Sequence, residues 1–241
     1  MNKLWLSKAI VAGGLAASRS QADSYIKLGY VSVNDKMITR SDRLINENDA
    51  IKLEIPGQYV SRGALKLASV AQALKLDFRG KLVLDIGSST GGFTDYALQH
   101  GANKVVAVDA GTNQLHPRLM HHPKIELHEK TDIRDFKTKL QFDVVLIDVS
   151  FITLREILPN LVSLLTPKTD IIAMVKPQFE ATGSDLKHKG IIKNDRIRRD
   201  ILKDFEIWSK GKFMIVNKAD SDVAGAKGNR ERFYHLRLII N

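Results

Sequence analysis

The sequence predicts an α/β protein: a doubly wound, mostly parallel sheet preceded by a small α+β module. Three observations carry that expectation. From residue 81 onward, short runs rich in Val and Ile ("KLVLDIG", "KVVAVDA", "KIELHEK", "FDVVLIDV", "TDIIAMVK", "KFMIVNKA") are separated by helical segments, the pattern of a parallel sheet covered on both faces. Residues 4–54 instead read as two helices followed by two strands, and Pro56-Gly57 closes that stretch. At 241 residues the chain is long enough for two unequal domains. The expected boundaries are 1–56, a linker at 57–61, and 62–241.

In the first module, apolar residues recur at helical spacing through Ile10, Val11 and Leu15, interrupted by Gly13-Gly14. Ser18 is a candidate N-cap for a second helix over 19–28, which Gly29 ends. "YVSVND" alternates as a strand, Asn34-Asp35 turns, and "DAIKLEI" is a second strand. This arrangement, through Leu15, Ser18, Arg19, Ala22, Ile26, Gly29, Val31, Val33 and Asn34, resembles the S4 RNA-binding domain. That family usually opens its first helix with Arg-Leu-Asp, whereas this chain reads Lys3-Leu4-Trp5. The resemblance implies that paired helices present basic side chains to folded RNA, with Arg19 and Lys27 as candidates. A local cap or ion pair is the competing role for Arg19.

"YVSRGALKLASVAQAL", residues 59–74, reads as an amphipathic helix with Leu65, Leu67, Val70, Ala71 and Leu74 on its apolar face. Arg62 and Lys66 are i,i+4 neighbours, two cations on one side. Locally that is a solvated face.

"LVLDIGSSTGGFTDYALQHGA" carries the strongest chemical signal. Asp85 and Gly87 end a strand, Ser88, Ser89 and Thr90 form a loop, and Gly91, Gly92 and Phe93 open a helix. Ligands of such sheets bind at the carboxyl ends of the strands. A dinucleotide fold wants G-x-G-x-x-G, but the second residue after Gly87 is Ser89. A P-loop wants G-K-[ST], but Gly92 is followed by Phe93 and Thr94. Both phosphate readings fail. What remains is D-x-G-x-x-x-G-G, an acid ending the second strand (Asp109) and another after the third (Asp132). A carboxylate at Asp109 can accept both ribose hydroxyls of a nucleoside, and Asp132 is placed for an adenine amino group. This set resembles the S-adenosylmethionine pocket of Rossmann-like methyltransferases.

Two further strand ends are charged: Asp148 in "VLIDVSF" and Lys176 in "AMVKPQFE". A charge at the tip of an apolar strand above a ligand crevice is an active-site position, and a structural ion pair between the two is the alternative. In "GAKGNRERFYHL", Glu231 starts the last strand. "SRGALKL", "LDIGSSTGGFTD", "IDVSFI", "KPQFE" and "KGNRE" together resemble the TlyA (hemolysin A) family, S4-bearing relatives of FtsJ-type RNA 2'-O-methyltransferases. The resemblance spans essentially the whole chain. It implies a catalytic set of Lys66, Asp148, Lys176 and Glu231. It also implies S-adenosylmethionine as cofactor, and methyl transfer to cytidine 2'-hydroxyls of ribosomal RNA in the small and large subunits. A free lysine, with a pKa of about 10.4, is protonated at neutral pH, and a second cation and desolvation lower such a value. On that reasoning Lys176 is the candidate base, Lys66 the neighbouring cation, and Asp148 and Glu231 orient the ammonium groups. Arg62 becomes a phosphate-facing neighbour.

Composition is consistent with such a partner without deciding it. The formal net charge is +10. Residues 1–60 hold 8 Lys+Arg against 6 Asp+Glu, and residues 181–241 hold 14 against 8, so the last quarter supplies +6. A polyanionic partner and ordinary solubilising charge are both compatible with that excess. Lys187, Lys189, Lys193, Arg196, Arg198 and Arg199 are candidate RNA contacts, expected to flank the substrate beside ribosomal RNA or the ribosomal subunits. The chain has no cysteine, which excludes disulfides, thiolate zinc sites and cysteine nucleophiles. His121 and His122 lack an acid–histidine set, so no metal is expected. No run of about 18 apolar residues occurs and no signal peptide is read, so a cytoplasmic protein without stable membrane association is expected. A non-catalytic RNA-binding assembly factor is the main alternative. A hemolysin-like membrane-active protein is disfavoured, because no exposable amphipathic segment is evident.

Overall fold

The computed structural model describes residues 4–16, 19–27, 29–54, 59–181, 192, 194–225 and 228–239. Its contacts divide the chain into two units, one of Met1–Gln58 with Asp222–Ala224, the other of Tyr59–Ser221 with Gly225–Asn241.

In the first unit, β1 (Leu4–Trp5) leads into α1 (Leu6–Ala12), and α2 spans Arg19–Lys27. Leu6, Ile10, Ala22 and Ile26 are fully buried. Of the expected stripe Ile10, Val11 and Leu15, only Ile10 is, because Val11 is half-buried and Leu15 lies beyond the end of α1 at Ala12 and is exposed. Gly29 takes φ +74, and the turn at Asn34-Asp35 takes φ 50 and 60, a pair of left-handed residues suited to a tight hairpin. That turn joins β2 (Val31–Val33) to β3 (Lys36–Met37), and β5 (Ile51–Leu53) pairs with the other side of β2. β4 (Leu44–Ile45) pairs with β1. The two expected strands are present, but three two-residue strands accompany them; segments so short leave no periodicity to read. Ser18 lies outside the described residues.

The second unit holds a seven-stranded sheet. Its strands are β6 (Leu82–Ile86), β7 (Lys104–Val108), β8 (Ile125–His128), β9 (Val144–Ile147), β10 (Asp170–Val175), β11 (Phe213–Asp220) and β12 (Arg232–Leu238), in the order β11-β12-β10-β9-β6-β7-β8. The pairs β10–β9, β9–β6, β6–β7 and β7–β8 are parallel. β12 runs antiparallel to both β10 and β11, so "KFMIVNKA" does not join a parallel ladder. The short link from Asp220 to Arg232 is a hairpin-type connection, and a parallel return needs a longer crossover. One face packs Leu84, Val106, Val145, Ile171 and Phe205, the other Leu67, Val83, Phe93, Val105 and Phe233. Burial on both faces explains why these strands read as continuous apolar runs.

The helices that frame the site follow local rules. α3 (Arg62–Leu74) begins at Ser61, whose side chain accepts from the Gly63 N–H, and ends at Lys75 in the left-handed region. It starts three residues later than the apolar pattern at 59, because Ser61 is extended and caps it. α4 (Gly92–Gln99) starts at Gly91 with φ 87. α5 (Leu154–Ile157) runs on into a 3-10 helix (Leu158–Leu164), α6 is Pro177–Glu180, and α7 (Asp195–Ser209) is capped by the Asn194 side chain.

Candidate active site

Strand order reverses around β6, which lies between β7 and β9, and this is where an open α/β sheet forms its crevice. Gly87, Asp109, Asp148 and Lys176 follow directly on the parallel strands there. Because β12 is antiparallel and Val175 is paired with Arg232, Glu231 arrives at the same edge from the opposite chain direction.

Gly87 has φ +77, and a Cβ on it would come within 2.6 Å of the Asp148 carbonyl oxygen. Only glycine permits that close approach of two strand ends. At Gly92 a Cβ would meet the Ala64 nitrogen at 2.9 Å, so the start of α4 is pressed against the start of α3.

Two cavities open at this edge. The larger, of about 360 Å³, is lined by Gly87, Ser89, Asp109, Asp132, Asp148 and Phe151 among others. The smaller, of about 160 Å³, is lined by Ser61, Asp85, Gly87, Ser88, Ser89, Thr90, Gly92, Phe93, Ser150 and Lys176 among others. Every expected cofactor-binding residue except Gly91 therefore borders one cavity or both; Gly91 stands behind them as the cap of α4. Asp109 accepts from the N–H groups of Ser89 and Gly111, both at 2.7 Å, which ties the glycine loop to the end of β7. Asp132 is engaged by the Arg134 guanidinium at 2.6–3.1 Å, and hydrogen bonds from Arg134 hold its carboxyl below the usual range.

Asp85 is fully buried, and only its Oδ2 is bonded, to Thr94 Oγ1 at 2.6 Å. Its Oδ1, like the buried Ser88 Oγ, finds no partner among the described residues. Burial pushes the Asp85 carboxyl up to about 7; the Thr94 bonds oppose this, and the nearby charges of Asp148 and Asp109 add to it. Orphaned buried polar atoms beside a cavity call for a polar ligand. A ligand carrying a cationic group, with a ribose for Asp109, fits this donor and acceptor set.

Two lysine–carboxylate pairs form here, of which Lys176 and Asp148 line the smaller cavity. Lys176 Nζ is 2.5 Å from Asp148 Oδ1 and donates to Ser150 Oγ at 2.8 Å. Lys66 Nζ is 2.5 Å from Glu231 Oε2, with Glu231 only 3% exposed. Lys66 thus points inward rather than into solvent. The four residues come together as two pairs, each holding its charges out of water.

Two features at this site were not read from the sequence. Phe151 is 91% exposed with φ +67, and its ring lies 5.2 Å from that of Phe179. An exposed aromatic in a left-handed conformation is costly for folding alone; its signal was an aromatic three residues past the charged strand end at Asp148. Glu180, 3% exposed, accepts from Thr153 Oγ1 and the Leu154 N–H, both at 2.6 Å, and so joins the segment after Lys176 to the loop after Asp148. Burial raises its carboxyl despite those bonds.

The expected RNA contacts divide. Arg19, Arg196 and Arg199 are exposed and Arg62 is half-buried at the start of α3. Lys187, Lys189 and Lys193 lie outside the described residues, as does the side chain of Lys27. Arg198 does not reach a surface ligand. It is 7% exposed, donates to the Arg230 carbonyl oxygen at 3.0 Å and pairs with Asp220 at 2.6 Å. The run Arg196–Arg199 is helical, and a 100° step per residue turns one of its members into the core.

Among the described residues, no helix is long and apolar enough to cross a membrane. Residues 59–238 match the model of the FtsJ-like methyltransferase family. The 16S/23S rRNA (cytidine-2'-O)-methyltransferase TlyA of Mycobacterium tuberculosis is 33% identical over 95% of this chain and 87% of its own. Hemolysin A of Brachyspira hyodysenteriae is 36% identical over 96% and 98%. The solved structure of a Streptococcus thermophilus protein provisionally described as a hemolysin superposes with a TM-score of 0.72, at 33% identity over 99% of this chain and 89% of that one. With the family model spanning the whole sheet and its strand-end residues, the chain belongs to the FtsJ-like methyltransferase family.

Proposed function

We propose that this chain transfers a methyl group to the 2'-hydroxyl of cytidine in ribosomal RNA, with Lys176 as general base. The observation that carries the reading is the placement of two lysine–carboxylate pairs, Lys176–Asp148 and Lys66–Glu231, at the same sheet edge as a cavity whose polar lining fits a nucleoside. S-adenosylmethionine, when bound, supplies an electrophilic methyl group on a positively charged sulfur. Asp109 would take its ribose, Asp85 its ammonium, and the 87–93 loop would let its backbone approach closely. Lys176 Nζ accepts the proton of the 2'-hydroxyl; Asp148 and Ser150 orient that amine, and Glu231 holds Lys66 in place. Alignment of hydroxyl and methyl supplies much of the rate. Phe151 offers a ring on which the target base can stack.

The first unit, in this reading, is an S4-like RNA-binding domain spanning 1–56, with Arg19 facing RNA, and residues 57–61 link it to the catalytic domain. Arg62, Arg196 and Arg199 contact phosphates of ribosomal RNA in both subunits. The protein acts in the cytoplasm without stable membrane association. The test is incubation with labelled methyl donor and separated ribosomal subunits, followed by mapping of 2'-O-methylcytidine by mass spectrometry. Incorporation at cytidine in each subunit is expected. No incorporation would favour a non-catalytic assembly role, and incorporation lost in Lys66→Ala but kept in Lys176→Ala would remove Lys176 as the base.

A further inference from the structure

The hydrogen bonds around Glu231 reach well beyond Lys66. On its N-terminal side, the Arg230 carbonyl oxygen accepts from Arg198 Nε at 3.0 Å, and Asn229 Oδ1 accepts from the Ile192 N–H at 2.9 Å. On its C-terminal side, Arg232 grips Asp220 through two nitrogens at 2.6 and 3.0 Å. Arg198 Nη2 reaches the same Asp220 at 2.6 Å. Glu231's own carbonyl accepts from the Ser221 N–H at 3.0 Å. One guanidinium on α7 therefore braces the peptide before Glu231 directly and the residue after it through Asp220.

We propose that Arg198 is a positioning residue for Glu231, and that its bridge from the Arg230 carbonyl to Asp220 sets the aim of the Glu231 carboxylate at Lys66. The inference rests on the reading that Glu231 and Lys66 serve the reaction. The chemistry of the side chain supports it. A desolvated guanidinium is costly unless paired, and this buried one has its partners on the segment leading into β12 and at the end of β11. Arginine offers a rigid planar fork that bonds a carbonyl and a carboxylate together, which the point charge of lysine cannot reproduce. Phosphate recognition needs solvent access that this side chain lacks.

The test compares wild type, Arg198→Met, Arg198→Lys, Glu231→Gln and the double variant Arg198→Met/Glu231→Gln, by steady-state methyl transfer to ribosomal subunits and by thermal melting. Arg198→Met is expected to lower kcat by about tenfold or more, since small misplacements of a site residue are costly. The KM for RNA and the donor Kd should stay within about threefold of wild type. Arg198→Lys should recover part of the loss. In the double variant, kcat should fall no more than about threefold below Glu231→Gln, because the two residues act on one contact. A raised KM with unchanged kcat, or a kcat loss additive with Glu231→Gln, overturns the proposal. Should Arg198→Met fail to fold, Asp220→Asn replaces it under the same criteria. If the wild type transfers no methyl at all, the proposed reaction fails, and melting then decides the positioning role. Non-additive shifts of Arg198→Met and Glu231→Gln uphold that role, and additive shifts refute it.

Discussion

Asp85→Asn should make the donor-free protein more stable at alkaline pH while weakening its hold on the methyl donor. The carboxyl ionises at an ordinary 3.8 when unfolded and at about 7 in the fold, chiefly because burial penalises the charge. At about 1.4 kcal/mol per pH unit, ionised Asp85 costs the fold ~4 kcal/mol above pH 7. The folded state holds the proton longer than the unfolded one, so the penalty is absent below pH 4. It grows as pH rises from 4 to 7 and is constant above. Asparagine keeps the shape and the acceptor for Thr94 and has no charge to bury. The stability difference between Asp85→Asn and wild type should therefore be near zero at pH 4 and a few kcal/mol in favour of the variant at pH 8.5. Titrating groups away from Asp85 are common to both proteins and cancel. Urea unfolding followed by Trp208 fluorescence in a Trp5→Phe background reports on the catalytic unit. Calorimetry should show the converse for ligand: wild-type donor affinity rising through pH 7, with Asp85→Asn weaker and flat across that range. A stability difference independent of pH would refute the assignment of a strained, ionisable Asp85.

Lys66→Met should lower stability by about 3–5 kcal/mol, because it strands the buried Glu231 carboxylate; adding Glu231→Gln should restore much of that loss in the same unfolding assay. Phe151→Ala should leave the melting temperature within about 2 °C of wild type, since the side chain is almost fully exposed. It should also raise the KM for ribosomal RNA by about tenfold or more, one stacked base being worth about 1–3 kcal/mol. Arg196→Gln with Arg199→Gln should reduce the slope of log K against log salt by about 2 in filter binding, and an unchanged slope would place the RNA elsewhere.

Read alone, the sequence determined the α/β architecture, the crevice and most of the charged strand ends. Those features are encoded locally. Runs such as "VVLI" before Asp148 and "IIAMV" before Lys176 are apolar because both sheet faces are buried, and a charge that ends such a run is conspicuous. The D-x-G-x-x-x-G-G loop was equally legible, since its glycines answer to backbone geometry within a few residues. The partnership of Lys66 with Glu231 was not legible in the residues themselves; the family resemblance alone grouped them. Lys66 and Glu231 are 165 residues apart in sequence, and only the antiparallel insertion of β12 beside β10 brings Glu231 to the edge where α3 presents Lys66. The same insertion turned "KFMIVNKA" from an expected parallel strand into an antiparallel edge. Charge by itself also misled at Arg198, which composition assigned to RNA. The helical phase of α7 and the position of Asp220 on a neighbouring strand turn it inward. Long-range pairing depends on which strand lies beside which, and that is a property of the closed sheet rather than of any one segment.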